Sequence, residues 1–279
     1  MSIQTNNVCP SCQNIFRGRY CSYCGEKRLA PEDLKVRSFL KNALVTLLST
    51  DGKLLHTLKQ HLGSPGVLTN AYISGKRTPY LKPLQLFLLA NVLYFFLATL
   101  GYALTFNTPL YWHMNAVNFP HRPVAELLVT AERNSTGETL EDYSQRFNNL
   151  VDSFSKTIVI VLIPLFFLPL QFLKFKSKEP PLKQLVFSVH FISFVLMLSL
   201  LFFLIQLLTP ALSGETVYSW TSITLIALYV LVSLKRVYDK GYLRSGLEAI
   251  ILSASFYVVV ILYRGLLFFI TFYSLKWIL

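Results

Sequence analysis

The run LVFSVHFISFVLMLSLLFFLIQLL, residues 185–208, contains no charged side chain. As a helix rising ~1.5 Å per residue it reaches ~36 Å, enough to cross a hydrocarbon layer ~30 Å thick. In lipid only an internally hydrogen-bonded helix leaves no backbone group unsatisfied, so this stretch predicts a transmembrane helix. Four further runs of comparable character flank it, over residues 84–104, 157–173, 217–234 and 247–270. The chain of 279 residues is 53% hydrophobic and only 14% charged, which excludes an ordinary soluble domain. The expected class is therefore an all-α membrane protein of five spans.

Charge orients these spans, because short basic segments stay on the cytoplasmic side. Residues 1–83 carry twelve Lys and Arg against four Asp and Glu, whereas residues 105–155 carry three against six. Lys174, Lys176, Lys178 and Lys183 mark a second basic loop, and Lys235, Arg236, Lys240 and Arg244 a third. The alternation places the N-terminus in the cytoplasm and the C-terminus outside. Residues 1–37 contain no apolar stretch of signal-peptide length. The net charge of +12 follows this inside bias, with attraction to anionic headgroups of about 1 kcal/mol per basic residue, so nucleic acid is not implied.

Ahead of the spans lies Cys9-Pro-Ser-Cys12, then Cys21-Ser-Tyr-Cys24. Each pair sets two thiolates on one turn, and two such turns supply the four sulfurs that tetrahedral Zn²⁺ prefers. All four fall in the segment assigned to the reducing cytoplasm, which disfavours disulfides. Gly25 follows the second pair and suits a left-handed turn, whereas Gln13 stands at the equivalent place in the first. Four thiolates leave no open coordination position, so the expected Zn²⁺ is structural. Phe16, Arg17, Arg19, Tyr20 and Tyr23 decorate this ribbon and either cover its small interior or dock a protein.

The expected divisions are a zinc ribbon over 1–28, interfacial amphipathic helices over 34–83 and a transmembrane domain over 84–279, with an extracytoplasmic helical loop at 105–156. Phe39, Leu40, Ala43, Leu44, Leu47 and Leu48 make one apolar face. Asp51 is placed to cap a second helix bearing Leu54, Leu55, Leu58 and Leu62. Ser64-Pro65-Gly66 then predicts a third, with Ser64 as its cap, ended by Gly75. In the outer loop, Tyr111-Trp112-His113 suits an interfacial aromatic belt, and helices are expected over 123–134 and 138–153 around the Ser135-Thr136-Gly137 turn.

The order Pro65-Gly66, Tyr72, Gly75-Lys76-Arg77, Tyr80, Pro83, behind the four cysteines, resembles a family of uncharacterised bacterial multi-spanning membrane proteins with an N-terminal zinc ribbon. The resemblance covers roughly residues 9–94 and implies a bacterial inner-membrane location. Gln13 departs from the family's usual glycine after the second cysteine. The family's activity is unknown, so the resemblance implies architecture rather than mechanism.

No Ser/His/Asp set, phosphate loop or paired carboxylate appears, which points to binding rather than catalysis. Lys76 and Arg77, at a helix end beside the membrane, are candidates for an anionic lipid headgroup. Arg264 lies about 17 residues into the last span, and Glu215 or Asp152 is the candidate partner for an intramembrane ion pair that would leave residues 266–279 as a surface tail. Pro164 and Pro169 interrupt the second span. His190 is expected to bond between helices, and no acidic relay is expected in the spans, which disfavours a proton-coupled pump. The first reading is a scaffold or regulator acting through a cytoplasmic partner. Lipid handling or transport, around Pro164, Pro169 and Arg264, and an enzyme acting on a headgroup near Lys76 and Arg77 are the alternatives. Sequence leaves the oligomeric state open.

Overall fold

The computed structural model describes residues 7–28, 53–98, 106–177, 179–208, 215–239 and 241–278. The apolar face of residues 39–48 and the cap at Asp51 lie outside them. Two short strands, β1 (Asn7–Val8) and β2 (Ile15–Phe16), pair antiparallel with Asn7 opposite Phe16 and Val8 opposite Ile15. Helices follow as α1 (Leu54–Gly63), α2 (Val67–Ile73), α3 (Pro83–Ala98), α4 (Leu110–Asn115), α5 (Arg122–Thr136), α6 (Leu140–Ile158), α7 (Leu162–Leu173), α8 (Pro181–Leu208), α9 (Glu215–Tyr238) and α10 (Tyr242–Ile278).

Four helical stretches among the described residues are long and apolar enough to cross a membrane: Leu140–Leu173, Pro181–Ile205, Trp220–Tyr238 and Tyr242–Trp277. The remaining expected span corresponds to the shorter apolar helix Pro83–Phe96, and residues 99–105 beyond it lie outside the description. The 157–173 span does not begin afresh after the outer loop. α6 enters it directly, with one tight turn at Val159–Val161 before α7. Pro164 explains that turn, because its ring clashes with the carbonyl four residues back, at Ile160, and offers it no N–H.

The chain divides into two compact units, Met1–Asn91 with Phe167–Ser253, and Val92–Phe166 with Ala254–Leu279. In the first unit α8 takes the inner position. Two thirds (67%) of its apolar window is buried against 28% in each other span, which is why it reads as apolar all round. Its Ser188 and Ser193 hydroxyls donate back to the Gln184 and Val189 carbonyls, so they need no outside partner.

α2 packs on α8 and α9, and its start differs from expectation. Ser64 is not the cap. Gly66 is, in a left-handed conformation with φ +85°, and a Cβ there would meet the Ser233 Cα and carbonyl oxygen at 3.1 Å. The close approach of two backbones demands glycine and shifts the helix start to Val67. At the other end Gly75, φ +91°, closes a Schellman turn in which the Lys76 amide donates to Ala71 O at 2.8 Å and the Gly75 amide to Tyr72 O. α1 turns Thr57 and His61 inward and leaves Leu55 and Leu62 exposed among the described residues.

The absence of acid from the spans does not hold. Glu248, near the start of α10, is buried and ion-paired with the fully buried Lys174, and it also meets Arg244 at 3.3 Å. Lys174 sits 4.2 Å over the Tyr238 ring. A lysine assigned as a topology marker therefore ties α7 to α10.

In the second unit, α5 and α6 meet at Gly137, φ +71°, close to the expected helices and turn. Tyr111 and Trp112 are exposed as a belt would be, but His113 is buried. Its Nε2 bonds the Thr108 carbonyl at 3.1 Å and its Nδ1 lies 2.8 Å from His121 Nε2. The surface tail expected after residue 266 is replaced by helix. α10 continues without a break to Ile278, with Leu267, Phe268, Thr271, Phe272 and Leu275 buried along one face. That inward face holds the segment to the protein.

Candidate metal centre and the adjoining basic cleft

The two Cys-x-x-Cys turns are built alike. In the first, the Gln13 amide donates to Cys9 O and the Cys9 amide to Asn14 O; in the second, the Gly25 amide donates to Cys21 O and the Cys21 amide to Glu26 O. The residue after each pair is left-handed, Gly25 at φ +74° and Gln13 at φ +64°. Glutamine thus adopts a conformation that glycine reaches without steric cost.

The sulfurs converge. Cys9 Sγ lies 3.5 Å from Cys24 Sγ and Cys12 Sγ 3.6 Å from Cys21 Sγ, and all four fall within 4.8 Å of one another. Four thiolates at ~2.3 Å from a common ion would be about 3.8 Å apart, whereas disulfide sulfurs approach to ~2.05 Å. The donor set therefore fits one tetrahedral metal ion. Backbone amides of Cys24 and Tyr23 donate toward Cys21 and lower its pKa to about 7, whereas that of Cys24 is raised to about 12, a backbone hydrogen bond from Glu26 being outweighed by burial and the neighbouring sulfurs. The interior of this module consists of Cys9, Cys21 and Phe16, packed by Cys12 and Cys24. So small an apolar core is a weak hold on the ribbon, and an ion held by the four sulfurs would add what is missing. Of the decorating aromatics only Phe16 turns inward. Tyr20 and Tyr23 are 60% and 79% exposed, and the paired strand residues Val8 and Ile15 are exposed as well.

Glu26, two residues past Cys24, joins the ribbon to the helices. Its buried carboxylate accepts from the Arg77 amide at 3.2 and 3.3 Å, from the Thr78 amide at 3.1 Å, and from the Ser11 hydroxyl. One carboxylate thus closes the ribbon internally through Ser11 and fastens it to the turn following Gly75. No local pattern announces a contact between residues 51 positions apart; a lone acid beside the second knuckle is the only trace.

That turn carries Lys76 and Arg77. Arg77 Nε donates to Tyr72 O at 3.1 Å and its guanidinium lies 4.3 Å above the Tyr72 ring. Tyr80 stacks on His56, with ring centroids 5.1 Å apart, and the Leu81 amide donates to Thr57 Oγ1 at 2.9 Å. The residues of the Tyr-x-x-Gly-x-Arg, Tyr order are therefore brought together on α1, α2 and Glu26. They border a narrow cleft of about 10 Å³, room for no more than one water, lined by Lys76, Arg77, Tyr80, Lys82 and His190. Burial, then the charges of Arg77 and Lys53, lower the Lys82 pKa. His190 makes the expected inter-helix bond, Nδ1 to Thr69 Oγ1 at 2.8 Å. Burial likewise pushes the His61 pKa down to about 3, and its Nε2 has no hydrogen-bond partner.

The third group of candidates is not drawn together by the described contacts. Asp152 pairs with Lys156 at 2.7 Å and accepts from Asn107 at 3.2 Å. The Arg264 guanidinium lies 5.2 Å over the Phe119 ring. Glu215 opens α9, and its side chain lies outside the described residues.

A family model described as "Protein of unknown function (DUF3667)" matches residues 51–95. The matched segment holds α1, α2, the Gly75–Thr78 turn and most of α3, the part of the chain that receives Glu26 and borders the cleft. Comparison with curated proteins and with solved structures yields no match.

Proposed function

We propose that this chain is a scaffold or regulator of the bacterial inner membrane, N-terminus cytoplasmic and C-terminus extracytoplasmic, whose ribbon holds one structural Zn²⁺ and docks a cytoplasmic protein. The observation that carries the reading is the exposed apolar surface of Val8, Ile15, Tyr20 and Tyr23 on a ribbon anchored through Glu26. Aromatic side chains with large exposed area and few rotamers are the usual anchors of protein interfaces. Zn²⁺ suits four thiolates at tetrahedral spacing and is redox-inert, so the centre is a fastening and the spans keep the docking face at the bilayer. Lys76 and Arg77 face anionic headgroups in this reading.

Native mass spectrometry of the purified chain tests it. One zinc per chain is expected, lowered by Cys12→Ser or Cys21→Ser, together with a soluble partner lost in a Tyr20→Ser, Tyr23→Ser double variant that keeps its zinc. A variant that keeps both zinc and partner would remove the ribbon face from the account. The open groove of about 540 Å³ bordered by Lys76, Lys183 and Arg236 favours lipid handling as a second reading, which a stoichiometric retained lipid without any protein partner would support.

A further inference from the structure

We propose that the open groove between α2, the start of α8 and the end of α9 is a site for one anionic phospholipid, its phosphate held by Arg236 and Lys76 and its acyl chains laid along α9. The proposal rests on the reading of the basic residues after α2 as headgroup contacts, and deepens it by naming the cations that form a single site.

The groove holds about 540 Å³, within the ~300–1,000 Å³ of sites that take small molecules. Three cations reach it from separate parts of the chain: Lys76 from the turn after α2, Lys183 from the start of α8 and Arg236 from the last turn of α9. They are not equivalent. Lys183 is largely buried and already pairs with Glu179 at 2.8 Å. Among the described residues no carboxylate pairs with Lys76 or Arg236, so these two leave the groove with an excess of positive charge. Arg236 is also fixed in place. Its Nη1 donates to Pro65 O at 2.6 Å and its carbonyl accepts from Asn70 Nδ2 at 2.9 Å, yet the side chain remains exposed. A guanidinium anchored at one nitrogen, with an ammonium across the groove, suits the several oxygens of a phosphate.

The surroundings select a lipid over free phosphate. Val67, Ala71 and Ile73 give the groove an apolar wall. Leu225, Leu228 and Val232 are exposed on α9 and recur three and four residues apart, on the stripe that ends at Arg236. At ~1.5 Å per residue the stripe from Leu225 to Arg236 is ~16 Å long, about half of a ~30 Å hydrocarbon layer and hence the reach of acyl chains in one leaflet. A phosphate held at Arg236 therefore has its chains over an apolar surface of matching length. Free phosphate would make no use of it.

The test uses the full chain in neutral detergent with phosphatidylglycerol added in titration, bound lipid being counted by native mass spectrometry. Arg236→Gln and Lys76→Gln should each weaken retention about fivefold, the worth of one basic residue at an anionic surface. Lys235→Gln removes an equal charge one position away on α9, but Lys235 sits 3.0 Å over the Tyr242 ring and does not line the groove. It should retain lipid like the parent. If Lys235→Gln weakens retention as much as Arg236→Gln, general headgroup attraction stands and the groove is overturned. If none of the three substitutions changes retention, the headgroup reading falls with it. Excess inorganic phosphate should leave the lipid in place; displacement from the parent would assign the groove to free phosphate and overturn the lipid. Should Arg236→Gln lose its melting transition, Lys76→Gln carries the test by itself, and parent-like retention there overturns the proposal.

Discussion

Replacing Glu26 by alanine should release the ribbon from the helices without emptying its metal centre. Three donors converge on the carboxylate, but only the Arg77 and Thr78 amides cross between the ribbon and the helices; the Ser11 hydroxyl belongs to the ribbon itself. At 3.1–3.3 Å the two amide contacts are at the long end of the hydrogen-bond range, so about 1 kcal/mol each is appropriate rather than the larger figure for short charge-assisted bonds. The loss is then about 2 kcal/mol, or roughly 30-fold in the ratio of docked to undocked ribbon. Glu26→Gln keeps one acceptor oxygen and should lose about 1 kcal/mol, roughly fivefold. Hydrogen exchange followed by mass spectrometry over residues 75–80 measures this, with zinc content recorded on the same sample. The four thiolates are untouched, so metal stoichiometry should stay at the parent value while exchange in that peptide accelerates. Parent-like protection of residues 75–80 in Glu26→Ala would show that the ribbon is held by other means.

Gln13→Gly relieves a left-handed glutamine at φ +64° and should stabilise the first knuckle by about 0.5–1 kcal/mol, read as two- to fivefold slower removal of metal by a chelator. Glu248→Gln leaves the buried Lys174 without its counter-charge and should destabilise the detergent-solubilised protein by about 3 kcal/mol or more, whereas the apolar pair Lys174→Met, Glu248→Leu should recover most of the loss in the same melting assay. His61, held neutral by burial with its pKa near 3, gives a signed pH dependence. The unfolded chain takes up a proton near pH 6.5 that the folded chain refuses, so stability is full above about 6.5 and falls by about 1.4 kcal/mol per pH unit as acidity increases toward 3. His61→Phe should flatten that slope in melting curves taken between pH 7 and pH 5.

The long apolar runs and the paired Cys-x-x-Cys turns were legible from residue order alone, because both depend on near neighbours in the chain. A span needs only enough consecutive apolar residues to match the bilayer, and a knuckle needs only two thiolates on one turn. Gly25, Gly75 and Gly137 were readable for the same reason, since each closes a turn within its own segment. Gly66 was not, because its left-handed start to α2 answers to the Ser233 backbone, 167 residues away. The burial of charge was not legible either, since the pairing of Lys174 with Glu248 joins residues 74 positions apart. Glu26 is the clearest case. In sequence it is one acid just past the second cysteine pair, and only tertiary structure delivers the Arg77 and Thr78 amides to it, because nothing local encodes which distant backbone donors a side chain will meet.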